Sequence, residues 1–264
     1  MNATAKTPGN QETTPHRMEG PAPVLVLGST GRTGRRVVRE LLEREVPVRA
    51  VVRSAARLPD GARDHPLATV VEADVSSLAP DTWRSQLDGC TAVISCLGHT
   101  IDLRGVFGPP RDLVERAMRH VVAAARASER TSPLRIVLMS SVSVHGPGER
   151  TGATGRAERA VLAVMRAVVP PARDNQRAAD LLAHEVEAGG ATVWTGVRPD
   201  TLKEGDATTY EVHDRLIASL FRPAETRRAN VARFMADLAT DDAVWRRWQG
   251  RMPVIVDAEG NGSA

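Results

Sequence analysis

Val24-Leu25-Val26-Leu27 runs straight into Gly28-Ser29-Thr30-Gly31-Arg32-Thr33-Gly34, and an arginine-rich helical pattern follows from Arg35 to Arg44. Strand, tight glycine turn and helix start form the geometry that brings a bare backbone against the pyrophosphate of a dinucleotide. Gly28 permits the turn, Gly31 lets the chain approach the phosphates, and Gly34 lets helix and strand pack closely. Glycines alone would fit an ordinary strand-to-helix turn equally well; the flanking strand and helix favour the dinucleotide. Ser29, Thr30, Arg32 and Thr33 complete the loop and are candidate cofactor contacts.

Pro47-Val48-Arg49-Ala50-Val51-Val52-Arg53-Ser54 reads as the second strand, ending in Arg53. In a βαβ unit that strand end, about 20 residues past the glycines, faces the adenosine ribose. An Asp or Glu there would accept from the ribose 2′-hydroxyl. Arg53 and Ser54 instead suit a 2′-phosphate through charge-assisted bonds, with Arg32 as a second partner. The expected cofactor is therefore NADP(H). The alternative is that both arginines are merely solvated, because this chain is rich in arginine.

Lys6 and Lys203 are the only lysines, and the formal charge of +3 is spread along the chain without a basic block. With aromatic residues at 3%, little is available to stack bases, and nucleic acid is not an expected partner. Cys90 and Cys96 lack the second pair that a zinc site needs, so no metal is expected. Cys96 ends an apolar run and reads as a buried small side chain. No apolar run approaches the ~20 residues of a membrane span. Residues 1–20 are polar and lack the apolar centre of a signal peptide. A cytoplasmic protein is the expectation, with 1–20 as a disordered tail and 260–264 as a frayed end.

The 264 residues suit one large α/β domain over 21–259. Further strands are expected at Thr69–Val75, Ala92–Ser95, Arg135–Met139, Thr192–Val197 and Val254–Val256. Helices are expected at Arg32–Arg44, Thr82–Leu87, Asp112–Ser128 (capped by Asp112), Arg156–Val168, Asp174–Ala188 and Val231–Ala239. Residues 200–228 have weak periodicity, and 200–259 are expected to supply a small substrate region. Trp194 reads as core and Trp245-Arg246-Arg247-Trp248 as a packed helix edge. The alternation predicts a Rossmann-type, doubly wound parallel sheet of about seven strands, covered on both faces.

Six features now stand in order: the glycine turn, Arg53, Asp74-Val75, Cys96-Leu97-Gly98, Ser140-Ser141 and Val197-Arg198-Pro199. In this order and spacing the chain resembles the short-chain dehydrogenase/reductase superfamily. It looks most like the atypical branch of NAD(P)H-binding, NmrA-like and biliverdin-reductase-B-like proteins, from Val24 to Asp257. The resemblance implies that Asp74 and Val75 contact the adenine and that Cys96, Leu97 and Gly98 line the ribose region. It places Pro199 beside the nicotinamide. Each also has a plainer role, Asp74 as a cap, Gly98 as a turn and Pro199 as a strand terminator.

Catalysis is where the pattern breaks. Reductases of this superfamily pair a serine after strand five with Tyr-x-x-x-Lys on the next long helix. Ser141 fits the serine, but Ala172 and Gln176 fall near the other two positions, and the only tyrosine is Tyr210. An alkoxide formed by hydride transfer needs a proton or donors around it. Candidates are Ser141, His145, Tyr210 and His213, with Asp174 more readily a helix cap. His145 titrates near neutral pH but precedes Gly146-Pro147 in a turn, where a structural role is equally natural. Asn175 or Gln176 could reach the cofactor ribose, and Arg104–Arg111 could form a lid. The implied function is an NADPH-dependent reductase of a small or polycyclic organic molecule, of a kind met in secondary metabolism. A conjugated carbon, flavin-like ring or iminium ion makes the least demand on the missing pair. The alternatives are a cofactor-binding isomerase, cyclase or dehydratase, or an NmrA-like redox sensor. Monomer and homodimer are both compatible, family dimers often using the two long helices.

Overall fold

Alternate residues of the first strand point to opposite faces of the sheet, and both faces are covered. The computed structural model describes residues 21–98, 111–146, 170–185, 190–217 and 223–258. Its strands are β1 (Val24–Leu27), β2 (Val48–Val52), β3 (Ala68–Glu72), β4 (Ala92–Ser95), β5 (Leu134–Met139), β6 (Thr192–Pro199), β7 (Thr201–Lys203), β8 (Tyr210–His213), β9 (Glu225–Arg227) and β10 (Val254–Asp257). The helices are α1 (Gly34–Glu43), α2 (Pro80–Leu87), α3 (Leu113–Arg126), α4 (Pro170–Glu185), α5 (Arg228–Thr240) and α6 (Asp242–Trp248).

Eight strands form one sheet in the order β3-β2-β1-β4-β5-β6-β10-β8, and β7 pairs with β9 in a separate ribbon. Every pairing is parallel except that of β8 with β10. The chain reverses its winding between β1 and β4, the switch point where open α/β sheets take ligands at the strands' C-terminal ends.

Val24 and Val26 face a core built with Val37, Val38 and Leu41 of α1 and Val231, Phe234 and Met235 of α5. Leu25 and Leu27 face the other core, against Trp83 of α2, Met118 and Val121 of α3 and Leu182 of α4. Each such Val or Leu contributes roughly 1.5–3 kcal/mol by leaving water. A strand apolar on both faces can sit only at the centre of a covered sheet.

The structure has eight strands in its sheet where about seven were expected, because β8 adds an antiparallel edge. The segment 200–228, hard to assign from periodicity, holds the short β7, β8 and β9. Helix α4 begins at Pro170 rather than Asp174, since proline is tolerated in a first helical turn, where its missing N–H has no partner to lose. The helix expected at Arg156–Val168 lies outside the described residues. Trp194, Trp245 and Trp248 are buried. Among the described residues no helix is long and apolar enough to cross a membrane.

Candidate functional site

At the end of β1, Gly28 adopts φ +73°, and a Cβ on it would lie 2.6 Å from the carbonyl oxygen of Cys96, just past β4. A Cβ on Gly34 would lie 2.1 Å from the Gly28 oxygen, so helix and turn touch through bare backbone. The Gly31 amide closes the turn by donating to the Gly28 oxygen at 3.0 Å. Helix α1 then starts at Thr33 without a side-chain cap bond. Among the described residues the amides of Arg32 and Thr33 have no backbone acceptor. First-turn amides left open at a helix N-terminus form a ready site for an anion. The Ser29 hydroxyl beside them is buried with no hydrogen-bond partner among the described residues. Open amides, an orphaned hydroxyl and glycines with no room for a Cβ fit a dinucleotide's bridging phosphates.

Arg53 is exposed just beyond β2. Ser54 leads a short 3₁₀ turn, Ala55–Arg57, held in place by Glu72, whose Oε1 accepts from the Ala55 amide at 2.6 Å. Asp74 heads the next 3₁₀ turn, Val75–Ser77, accepting from the Ser76 amide at 2.8 Å and its hydroxyl at 2.7 Å. Those bonds, and the charge of Arg53, hold the Asp74 carboxyl below the usual carboxylate range against the opposing effect of burial. Asp74 is thus a turn cap standing in the field of Arg53. Val75 is buried, as are Cys96 and Leu97, while Gly98 is exposed. Residues 104–110 of the expected lid lie outside the described residues.

Burial pushes the Cys96 thiol up to about 12 and the Cys90 thiol up to about 11. A thiol reacts as its thiolate, so both should be inert in the folded protein. Native protein at pH 8 is expected to resist iodoacetamide at both positions and to gain two adducts only in denaturant; mass spectrometry distinguishes the outcomes.

Above β5 the chain is clamped from two sides. The Ser141 and Ser143 hydroxyl oxygens are 2.5 Å apart, and the Ser140 hydroxyl is buried without a partner among the described residues. Gln176 of α4 accepts from the His145 amide at 3.0 Å and donates to the His145 carbonyl at 3.3 Å and to Asp180 at 2.9 Å. From β6 the buried Arg198 donates to the Val144 carbonyl at 3.2 Å and the Met252 carbonyl at 2.7 Å. Pro199 accepts from the Val142 amide at 3.3 Å. Gln176 therefore spends its side-chain amide on the turn itself. The neighbouring Asn175 carries a buried Oδ1 with no partner among the described residues, a free acceptor at this edge.

Asp174 is 1% exposed and accepts from the amides of Val114 and Glu115, at 2.9 Å each. It caps α3 and not its own helix, because it lies inside α4. Asp112, expected as that cap, makes no capping bond.

Tyr210 and His213 are not joined to this constellation. The Tyr210 hydroxyl donates to Asp237 at 3.0 Å, and Asp237 pairs with Arg44 at 2.7 Å. Arg44 follows the far end of α1, about 15 Å along the helix from the glycine turn. Burial, reinforced by the charge of Asp237, pushes the phenol well above its usual range, against proton release. His213 Nε2 lies 3.1 Å from Glu211. Both residues line a separate cleft of about 460 Å³ with Phe234, Val244 and Trp248. A lone tyrosine in a segment without clear periodicity carried no sign of the face it would take. Glu72 and Arg198 shape the site although nothing in their local sequence pattern marks them for it, beyond the place of Arg198 in the Val197-Arg198-Pro199 motif.

Comparison with known proteins agrees with this fold. Over 76 residues the chain is 42% identical to the chloroplastic protein High Chlorophyll Fluorescence Phenotype 244 of Arabidopsis thaliana. That stretch is 29% of this chain and 18% of the plant protein. Among solved structures it is similar to ChuY, an anaerobillin reductase from Escherichia coli O157:H7. The TM-score is 0.63 at 19% identity, over 90% of this chain and 98% of that one. It is also similar to a short-chain dehydrogenase/reductase from Veillonella parvula in complex with NADP. There the TM-score is 0.62 at 15% identity, over 90% and 95% of the two chains. The model of the NAD(P)H-binding family matches residues 28–242, and the chain belongs to that family.

Proposed function

We propose that this protein is an NADPH-dependent reductase that delivers hydride to a conjugated or aromatic organic molecule. The observation that carries the proposal is the pairing of open amides at Arg32 and Thr33 with an exposed Arg53 at the end of β2. The amides take the pyrophosphate and Arg53 takes the 2′-phosphate. The similarity to an anaerobillin reductase and to an NADP-bound structure supports the reading. Thr30, Asp74 and Gly98 line the nucleotide's path, and Asn175 Oδ1 accepts from a ribose hydroxyl.

NADPH, when bound, supplies the hydride; the chain's own residues position the acceptor and handle the charge. Ser141, with Ser143 within hydrogen-bond distance, donates towards the acceptor at the β5 edge. Gln176 and Arg198 hold the turn that carries it, which leaves no tyrosine–lysine pair to protonate a simple alkoxide. Acceptors that spread the incoming charge over a ring or conjugated chain, such as quinones, enones, flavins and iminium ions, are the substrates that remain. His145 lies in the same turn, its backbone clamped by Gln176.

Loss of NADPH absorbance against a panel of such acceptors tests the proposal. Turnover supports it; tight NADPH binding without turnover on any acceptor replaces it with a non-redox catalyst or sensor. Arg53→Ala is expected to weaken NADPH binding about 30-fold and leave NADH binding unchanged, the value of a charge-assisted bond to a phosphate. Equal losses for both nucleotides in a fluorescence titration would remove Arg53 from that role.

A further inference from the structure

Three arginines converge on one carboxylate at the mouth of the glycine turn. Arg32 Nε lies 2.8 Å from Glu204 Oε1, Arg36 Nη2 lies 2.7 Å from Oε2, and Arg228 Nη1 lies 3.1 Å from Oε1. Glu204 directly follows β7 of the β7–β9 ribbon, Arg228 opens α5, and Arg32 and Arg36 flank the start of α1. The cluster thus ties the segment beyond Pro199 to the phosphate-binding turn. Three cations against one anion leave a surplus of positive charge. Burial holds Arg228 below its usual range, and the like charges of Arg32 and Arg36 add to that against the pull of Glu204.

The four members differ in how firmly they are held. The Arg228 side chain is 10% exposed and that of Arg36 is 26% exposed, whereas Arg32 is 64% exposed. Arg36 is also fixed by donating to the Arg32 carbonyl at 2.7 Å. Arg32 is therefore the member free to leave. Its own amide is one of the two open ones, so an anion accepting from that amide sits within a residue's reach of its guanidinium.

We infer that Glu204 is an internal competitor for the cofactor's phosphates, holding Arg32 in the free protein and yielding it when a dinucleotide binds. This rests on the NADPH-binding reading given above. Arg32 exchanges one anion for another, while Arg36 and Arg228 retain Glu204. An exposed ion pair is weak, so the exchange is readily reversible and sets affinity by a modest factor. Because Glu204 directly follows β7, the same exchange removes one of the three ion pairs that tie the end of the ribbon to the glycine turn. Substrate then meets a segment whose tethering depends on the nucleotide.

Titration of four full-length proteins with NADPH tests this: wild type, Glu204→Gln, Arg32→Gln and the double variant. Glu204→Gln is expected to bind NADPH about threefold more tightly than wild type at low salt, with the gain vanishing at high salt. In the Arg32→Gln background the same substitution is expected to change nothing, which identifies Arg32 as the route. Unchanged or weaker binding by Glu204→Gln overturns the inference, as does an equal gain with and without Arg32. Should the variants fold poorly, hydrogen exchange on wild type decides. Amides of residues 201–204 are expected to exchange faster with saturating NADPH, and unchanged or slower exchange overturns the inference. If wild type binds no NADPH, the cofactor reading itself falls; if it binds normally and Glu204 is silent, only this inference does.

Discussion

Gly34→Ala is expected to abolish NADPH binding and to lower stability by about 3 kcal/mol or more. The added Cβ would lie 2.1 Å from the Gly28 oxygen, 2.8 Å from its carbonyl carbon and 3.0 Å from the Ser29 Cα. All three are backbone atoms, so no rotamer change relieves the clash. Gly28 is itself packed against the chain just past β4, where a Cβ on it would lie 2.6 Å from the Cys96 oxygen. The helix must move off the turn, which separates the open amides from the position they need. Thermal unfolding and NADPH fluorescence read both effects. A Gly34→Ala protein that melts with wild type and binds NADPH normally would refute the close packing from which the site is built.

That contact was legible in the sequence because it is local: Gly28 and Gly34 are six positions apart, with a strand pattern directly before them and a helix pattern directly after. The strands of the parallel sheet were legible for a related reason. Val24–Leu27 and Ala92–Ser95 are buried on both faces and so appear as unbroken short runs. The ribbon and β8 were not, since three- and four-residue strands with mixed exposure leave no period to detect. The contacts that shape the site lie between residues far apart in the chain. Arg36 and Glu204 are separated by 168 positions, Arg198 and Met252 by 54, Asp174 and Val114 by 60. Arginine and aspartate at such positions read as solvated or as local caps until the fold brings their partners up. Tyr210 shows the reverse error. Chemistry singled it out as the only phenol, whereas Phe234 and Asp237 hold it on the face of α5.

Asp174→Ala is expected to destabilise the protein by about 2–4 kcal/mol, a large effect for one side chain. Its carboxylate satisfies two amides at the first turn of α3, one of them fully buried in its bond, and a carboxylate there also meets the positive end of the helix. Alanine would leave the buried Val114 N–H and the part-buried Glu115 N–H without their acceptor, so the loss includes desolvation as well as the bonds themselves. Asp174→Asn keeps one acceptor oxygen and is expected to recover about half of the loss, as measured by urea unfolding. The same substitution reports on the site. Asp174 fixes the first half of α4 against α3, and Asn175 and Gln176 follow it directly on that helix. If Gln176 holds the His145 turn only because Asp174 holds α4, then Asp174→Ala weakens turnover at temperatures where the protein is still folded. A variant that loses stability but keeps full activity there would show that the turn is held from β6 alone, by Arg198.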